Sequence, residues 1–224
     1  MIQNLDNFED LINLSKQASS FVVGFEGNVS KKIGQHFLIK ASGSKLSNLK
    51  KSEIVTYDFE LNQIDNKSMK GSMEIGFHSY LLSFDSVNYV CHTHPIQTMK
   101  ILCSDKIYDF AKKRLFPDQV VFNGINSCVI PYVKPGDELK KIIEFKISNW
   151  LNEYANLPKL ILLKNHGIIT LGKTINECLI STEICEKSAE IFLGSLPYNQ
   201  SFLTKDEIYD LVNDENEKFR INKL

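Results

Sequence analysis

The run Tyr89-Val90-Cys91-His92-Thr93-His94-Pro95 constrains this chain more than any other stretch. Its first residues favour an extended backbone, and Pro95 forbids a hydrogen-bonded ladder from continuing. Side chains alternate along a strand, so His92 and His94 leave the same face. Two imidazoles side by side at a strand end are half of a divalent metal site. Such a pair also arises by chance, as exposed or mutually bonded neighbours, so the rest of the chain has to decide.

Only five histidines occur, and a third, His166, follows the apolar run Leu160-Ile161-Leu162-Leu163 in Lys164-Asn165-His166-Gly167. That strand is expected to continue through residues 167–172. An acidic residue, Glu74, precedes the pair in Gly71-Ser72-Met73-Glu74-Ile75. Three imidazoles leave a tetrahedral zinc one open position, the arrangement of a catalytic site, although iron, cobalt and nickel accept the same ligands. The helical pattern over residues 73–83 puts His78 on the same face as Glu74, four residues on. His78 is assigned to packing, because the other histidines already supply enough nitrogen.

The chain has 224 residues and 43% hydrophobic content, consistent with a single domain over residues 1–224 that buries a substantial core. With 26 basic against 27 acidic residues, no global field draws nucleic acid or an anionic membrane. Cys91, Cys103, Cys128, Cys178 and Cys185 form no C-x-x-C pair and no regular spacing. That pattern argues against a disulfide framework and fits a reducing compartment, as does the lack of an apolar leader or spanning segment. A cytoplasmic protein with no membrane or nucleic-acid partner is expected.

Helical spacing marks residues 6–20, with Asn4 or Asp6 available as a cap, and also residues 96–102, 136–154, 174–193 and 204–219. Thr174 and Glu177 have the capping-box spacing at the start of the longest of these. Strands are expected at 36–40, at 54–57 with 63–64 as a hairpin, and at 119–122 and 128–130. The strand at 36–40 runs into Ala41-Ser42-Gly43-Ser44, where Lys40, a hydroxyl and a glycine amide can together hold a phosphate. Two glycines in Gly24-Phe25-Glu26-Gly27-Asn28 permit close backbone approach to a ligand, although a plain helix-to-strand turn is the simpler reading of that loop taken by itself.

Taken together and in order, Gly27-Asn28-Val29-Ser30, Ile39-Lys40-Ala41-Ser42-Gly43, Glu74, His92-Thr93-His94-Pro95 and Asn165-His166-Gly167 resemble the class II aldolase/adducin family. The resemblance spans most of the chain. It implies an α/β fold in three layers, a central, mostly antiparallel sheet flanked by helices, and a homotetramer with active sites between neighbouring subunits. It matches His92, His94 and His166 to zinc ligands and Glu74 to the acid/base of the aldolases. Asn28, Lys40, Ser42, Gly43 and Ser72 match a phosphate cradle, and Tyr209 stands as the candidate for a tyrosine that donates a proton from a neighbour's C-terminal region, with Tyr198 and Tyr132 behind it. Two departures stand out: Phe25-Glu26 replaces a threonine ahead of Gly-Asn, and Met73 replaces a serine, each removing a hydroxyl donor.

The expected activity is that of a zinc-dependent aldehyde-lyase: cleavage or formation of a carbon–carbon bond in a sugar phosphate or related ketose through a zinc-stabilised enediolate. A sugar-phosphate 4-epimerase or a dehydratase could use the same metal site. An adducin-like, non-catalytic oligomeric scaffold is the alternative of another class, and the retained histidines argue against it.

Overall fold

A computed structural model describes residues 2–221 and 223, with side chains from residue 7 onward. Seven strands form one sheet: β1 (Asn28–Ile33), β2 (His36–Lys40), β3 (Ile54–Asp58), β4 (Tyr89–Thr93), β5 (Cys128–Ile130), β6 (Leu160–Leu163) and β7 (Gly167–Gly172). Their order is β3-β2-β1-β4-β7-β6-β5, and every pairing is antiparallel except β5 with β6. The expected sheet is therefore observed.

Strand alternation divides the core between the two faces. Phe37, Ile39, Val90, Ile161 and Ile169 pack on one side with Phe77 and Leu81 of α2 (Ile75–Leu82) and Leu139, Ile143 and Ile147 of α6 (Asp137–Tyr154). On the other side, Leu38, Tyr89 and Cys91 meet Leu11 and Leu14 of α1 (Ile2–Ala18) and Cys178 of α7 (Ile175–Ser195). Leu160, Leu162 and Ile168 extend that second face against α3 (Ile96–Leu102), α4 (Ile107–Lys112) and Phe192 of α7. His92 shares its parity with Val90, so it faces the α2 layer.

Several expectations are corrected. Residues 119–122 are helical, within α5 (Pro117–Asn123). Pro117 opens that helix with its φ already set, and the Gln119 side chain accepts from the Leu115 amide at 2.8 Å. Packing of α5 on α7 overrides the strand preference of its β-branched residues. Residues 63–64 make no strand, only a bridge between Tyr57 and Gln63. Two backbone bonds, from Asp58 to Asn62 at 3.1 Å and from Ile64 to Thr56 at 3.0 Å, are all the ladder there is, and the Asp58 and Asp65 carboxylates take the Asn62 and Thr56 amides at 2.8 Å each.

The chain does not run straight through His166 either. It reverses between β6 and β7 at Lys164-Asn165-His166, with Asn165 at φ +57°. The C-terminal helix is two, α8 (Lys205–Asn213) and α9 (Glu215–Ile221), parted by extended Asp214, whose carboxylate caps the Asn216 amide at 2.7 Å. Asn4 and Asp6 fall inside α1 rather than before it, and their side chains lie outside the described residues. At α7, Thr174 accepts from the Glu177 amide as expected, while the Glu177 carboxylate reaches one residue further back, to the Lys173 amide.

Candidate metal centre

Register and turn geometry bring the three histidines together. β4 pairs with β1 so that Asn28 lies opposite His92, and with β7 so that Thr93 lies opposite Ile168. The β6–β7 turn then delivers His166 beside the end of β4. One ligand nitrogen from each of His92, His94 and His166 lies within 4.8 Å of the others. Gly167 makes room for this: a Cβ there would stand 2.4 Å from His94 Cδ2 and 2.6 Å from the Thr93 carbonyl oxygen.

Hydrogen bonds fix the direction of the rings. His92 Nδ1 donates to the Ile168 carbonyl at 2.8 Å, which leaves the lone pair on Nε2 when the ring is neutral. That Nε2 faces His94 Nε2 at 3.0 Å. Burial pushes the pKa of both rings down, and that of His94 to about 3, with its two neighbouring imidazoles adding to the effect. Neutral imidazoles are the form that binds metal.

Glu74 is the residue just ahead of α2 and is buried beside the trio. Its Oε2 is 3.3 Å from His92 Nε2 and its Oε1 is 3.2 Å from His166 Nε2. Burial pushes the carboxyl pKa up, but the imidazoles of His92 and His166 and the amide of Asn28 outweigh it and hold the group well below the usual range. A chain of bonds behind it sets its orientation. Ser30 Oγ meets His78 Nδ1 at 2.6 Å, His78 Nε2 bonds Asn28 Oδ1, and Asn28 Nδ2 donates to Glu74 Oε2 at 2.8 Å and to Ser72 Oγ at 3.1 Å. A carboxylate only accepts, so the Asn28 amide must present its nitrogen to Glu74 and its oxygen to His78 Nε2–H. His78 is therefore held in place by packing and polar contacts, as its assignment from sequence required.

This donor set fits a divalent transition metal. Around a tetrahedral zinc, ligand nitrogens stand about 3.3 Å apart, close to the 3.0 Å between His92 and His94. Glu74 Oε1 is buried without a hydrogen-bond partner, the kind of orphan that a cation satisfies.

The remaining residues singled out from sequence divide into two groups. Asn28 and Ser72 adjoin Glu74, and the bridge from Ala41 to Gly71 sets the turn carrying Ser42 and Gly43 beside Ser72. Ser42 and Gly43 are exposed, with Gly43 at φ +78°. Lys40 is buried, and its ammonium donates to the Ser44 carbonyl at 2.6 Å; burial lowers its pKa while Glu53 and Glu74 counter the shift. Tyr209 is not among the groups gathered at the histidines: it is 68% exposed on α8, which packs on α5. Tyr198 and Tyr132 are exposed as well.

Sequence reasoning missed Ser30, although its parity with Asn28 on one strand could have indicated it. It also counted Glu26 only as a lost hydroxyl. In the fold, the Glu26 carboxylate lies 3.5 Å from His94 Nδ1.

Residues 11–193 match the family described as Class II Aldolase and Adducin N-terminal domain. An L-fuculose phosphate aldolase of Methanococcus maripaludis is 30% identical over 81% of this chain and 95% of its own length. A 3-oxo-tetronate 4-phosphate decarboxylase of Haemophilus influenzae is 27% identical over 86% and 89%. Among solved structures, an L-fuculose 1-phosphate aldolase superposes with a TM-score of 0.77 over 96% of each chain at 20% identity. A sugar-phosphate aldolase from Thermotoga maritima gives 0.74 over 89% and 98% at 18% identity. With the matched span containing every residue of the histidine and glutamate cluster, the chain belongs to the class II aldolase and adducin family.

Proposed function

We propose that this protein is a zinc-dependent aldehyde-lyase that cleaves or forms a carbon–carbon bond in a sugar phosphate. The observation that carries the reading is Glu74: a buried carboxylate beside three converging imidazoles, its two oxygens 3.3 and 3.2 Å from the Nε2 atoms of His92 and His166. His92, His94 and His166 would hold the ion, which would polarise the substrate carbonyl and take up charge developing on its oxygen. Glu74, ionised at rest, takes the proton from the carbon next to the carbonyl when the bond forms. In cleavage it returns a proton to the same carbon. Asn28 keeps the carboxylate aimed at that carbon.

Asn28, Lys40, Ser42, Gly43 and Ser72 form the phosphate cradle in this reading. Support comes from the turn at Ser42 and Gly43 lying beside Ser72 and from the buried cation of Lys40 behind it. Tyr209 serves as the second proton donor, on the aldehyde oxygen, and reaches the site of a neighbouring copy in a homotetramer; its exposed phenol is free to do so. Five free cysteines support a cytoplasmic setting.

Decarboxylation is the second reading, favoured by the relative of that name, nearly as similar as the aldolase. Losing carbon dioxide from a 3-oxo acid leaves an electron pair on the carbon next to a carbonyl, as aldol cleavage does, so Glu74 would protonate the equivalent atom. A screen of phosphorylated and free ketoses and 3-oxo acids, with and without chelator, separates the two: an aldehyde and a ketone from one, carbon dioxide and one ketone from the other. Glu74→Gln should keep its metal and lose roughly 10²- to 10⁴-fold in turnover. Full activity in that variant would remove Glu74 from the role.

A further inference from the structure

We infer that Glu26 is a positioning residue that selects the metal-binding tautomer of His94; the inference rests on the metal reading of the three histidines. His92 has its Nδ1 proton committed to the Ile168 carbonyl, so its Nε2 can only accept. His94 Nε2 faces that acceptor at 3.0 Å. Two states are open to a neutral His94. With its proton on Nε2 it donates to His92, and the pair satisfies itself without a cation. With its proton on Nδ1, both lone pairs converge on one point and call for a positive ion.

What lies at Nδ1 chooses between these states. The Glu26 Oε2 stands 3.5 Å from His94 Nδ1. A carboxylate has no proton to offer, so it favours N–H at Nδ1 and opposes a lone pair there. Its position is set by the backbone. Glu26 accepts from the Val23 amide at 3.0 Å through the same oxygen, while its own amide donates to the Val23 carbonyl at 3.2 Å. The loop is in turn tied to the histidine strand, because the His94 amide donates to the Phe21 carbonyl at 3.0 Å. Gly27, at φ +69°, passes so close to the strand that a Cβ would stand 2.7 Å from the His92 carbonyl oxygen. Glu26 also adds a second negative charge near the centre, which together with Glu74 would balance a divalent ion.

The test uses the full chain, stripped of metal, and zinc as the probe. Long-range proton–nitrogen spectra of the five imidazoles give the tautomer of His94, and competition with a chromophoric chelator gives zinc affinity. The unaltered protein should show Nδ1–H at His94. Glu26→Ala should move it to Nε2–H and weaken zinc roughly 10- to 100-fold. Glu26→Gln, whose amide oxygen can take the place of the carboxylate oxygen beside Nδ1 and accept from Val23, should recover most of the affinity. An Ala variant that binds zinc as tightly as the parent, or a His94 already Nε2–H in the parent, overturns the inference and leaves the metal site standing. A parent protein that binds no zinc overturns the metal reading itself.

Discussion

His78 and Asn28 share a buried hydrogen bond, and it aims the Asn28 amide so that its nitrogen donates to Glu74 at 2.8 Å. The Glu74 carboxylate, proposed above as the acid/base, is thus oriented from behind by a buried histidine. His78→Ala should therefore keep its metal and lose about 1–3 kcal/mol of stability, because Asn28 and Ser30 forfeit a buried partner. Urea unfolding with metal analysis on the same sample checks both. Loss of metal at unchanged stability would make His78 a ligand instead.

Acid should reveal the same histidine. Burial pushes the His78 pKa down to about 3, with Glu74 countering and His92 adding to the shift. The folded protein keeps the ring neutral while the unfolded chain protonates it below about 6.5, so unfolding takes up a proton and stability falls as pH drops through that window. One such group contributes a slope of up to about 1.4 kcal/mol per pH unit. His94 in the metal-free protein contributes in the same sense. His78→Phe should flatten the metal-free profile by one proton's worth; an unchanged slope would show that His78 is already protonated when folded.

Gly167→Ala should cost zinc affinity more than it costs the fold. Its methyl group would meet His94 Cδ2 at 2.4 Å, the Thr93 carbonyl oxygen at 2.6 Å and His92 Cε1 at 3.0 Å, so the imidazoles and the end of β4 must shift. Overpacking of this kind costs about 1–3 kcal/mol. Titration with zinc alongside thermal unfolding measures both effects, and unaltered affinity would mean that the rings are not held against residue 167.

Lys40→Met should raise KM for a phosphorylated substrate while leaving that for its unphosphorylated counterpart nearly unchanged. The cation is buried beside the turn that carries Ser42 and Gly43. Equal losses on both substrates would show that Lys40 supports the turn, through the Ser44 carbonyl, rather than a phosphate.

The histidine strand was legible from sequence because period-two alternation and a terminating proline leave little freedom at residues 89–95. His166 was legible as the third imidazole of the cluster. The reversal that delivers it was not, since it hinges on Asn165 adopting φ +57°, a conformation asparagine tolerates without announcing. Residues 119–122 misled because β-branched side chains carry a strand preference that packing on α7 outweighs. Glu26 was invisible as a partner of His94 because no spacing rule links a loop carboxylate to a histidine on another element. The pairing of β1 with β4 and the bond from the His94 amide to the Phe21 carbonyl bring them together.

Equilibrium dialysis of the metal-free protein against zinc shows whether His92, His94 and His166 bind one cation. One tightly held ion per chain is expected, lost on replacing His166 with Ala while the fold survives. Failure to take up zinc, or uptake undiminished in the His166→Ala variant, would mean that the three histidines share no cation.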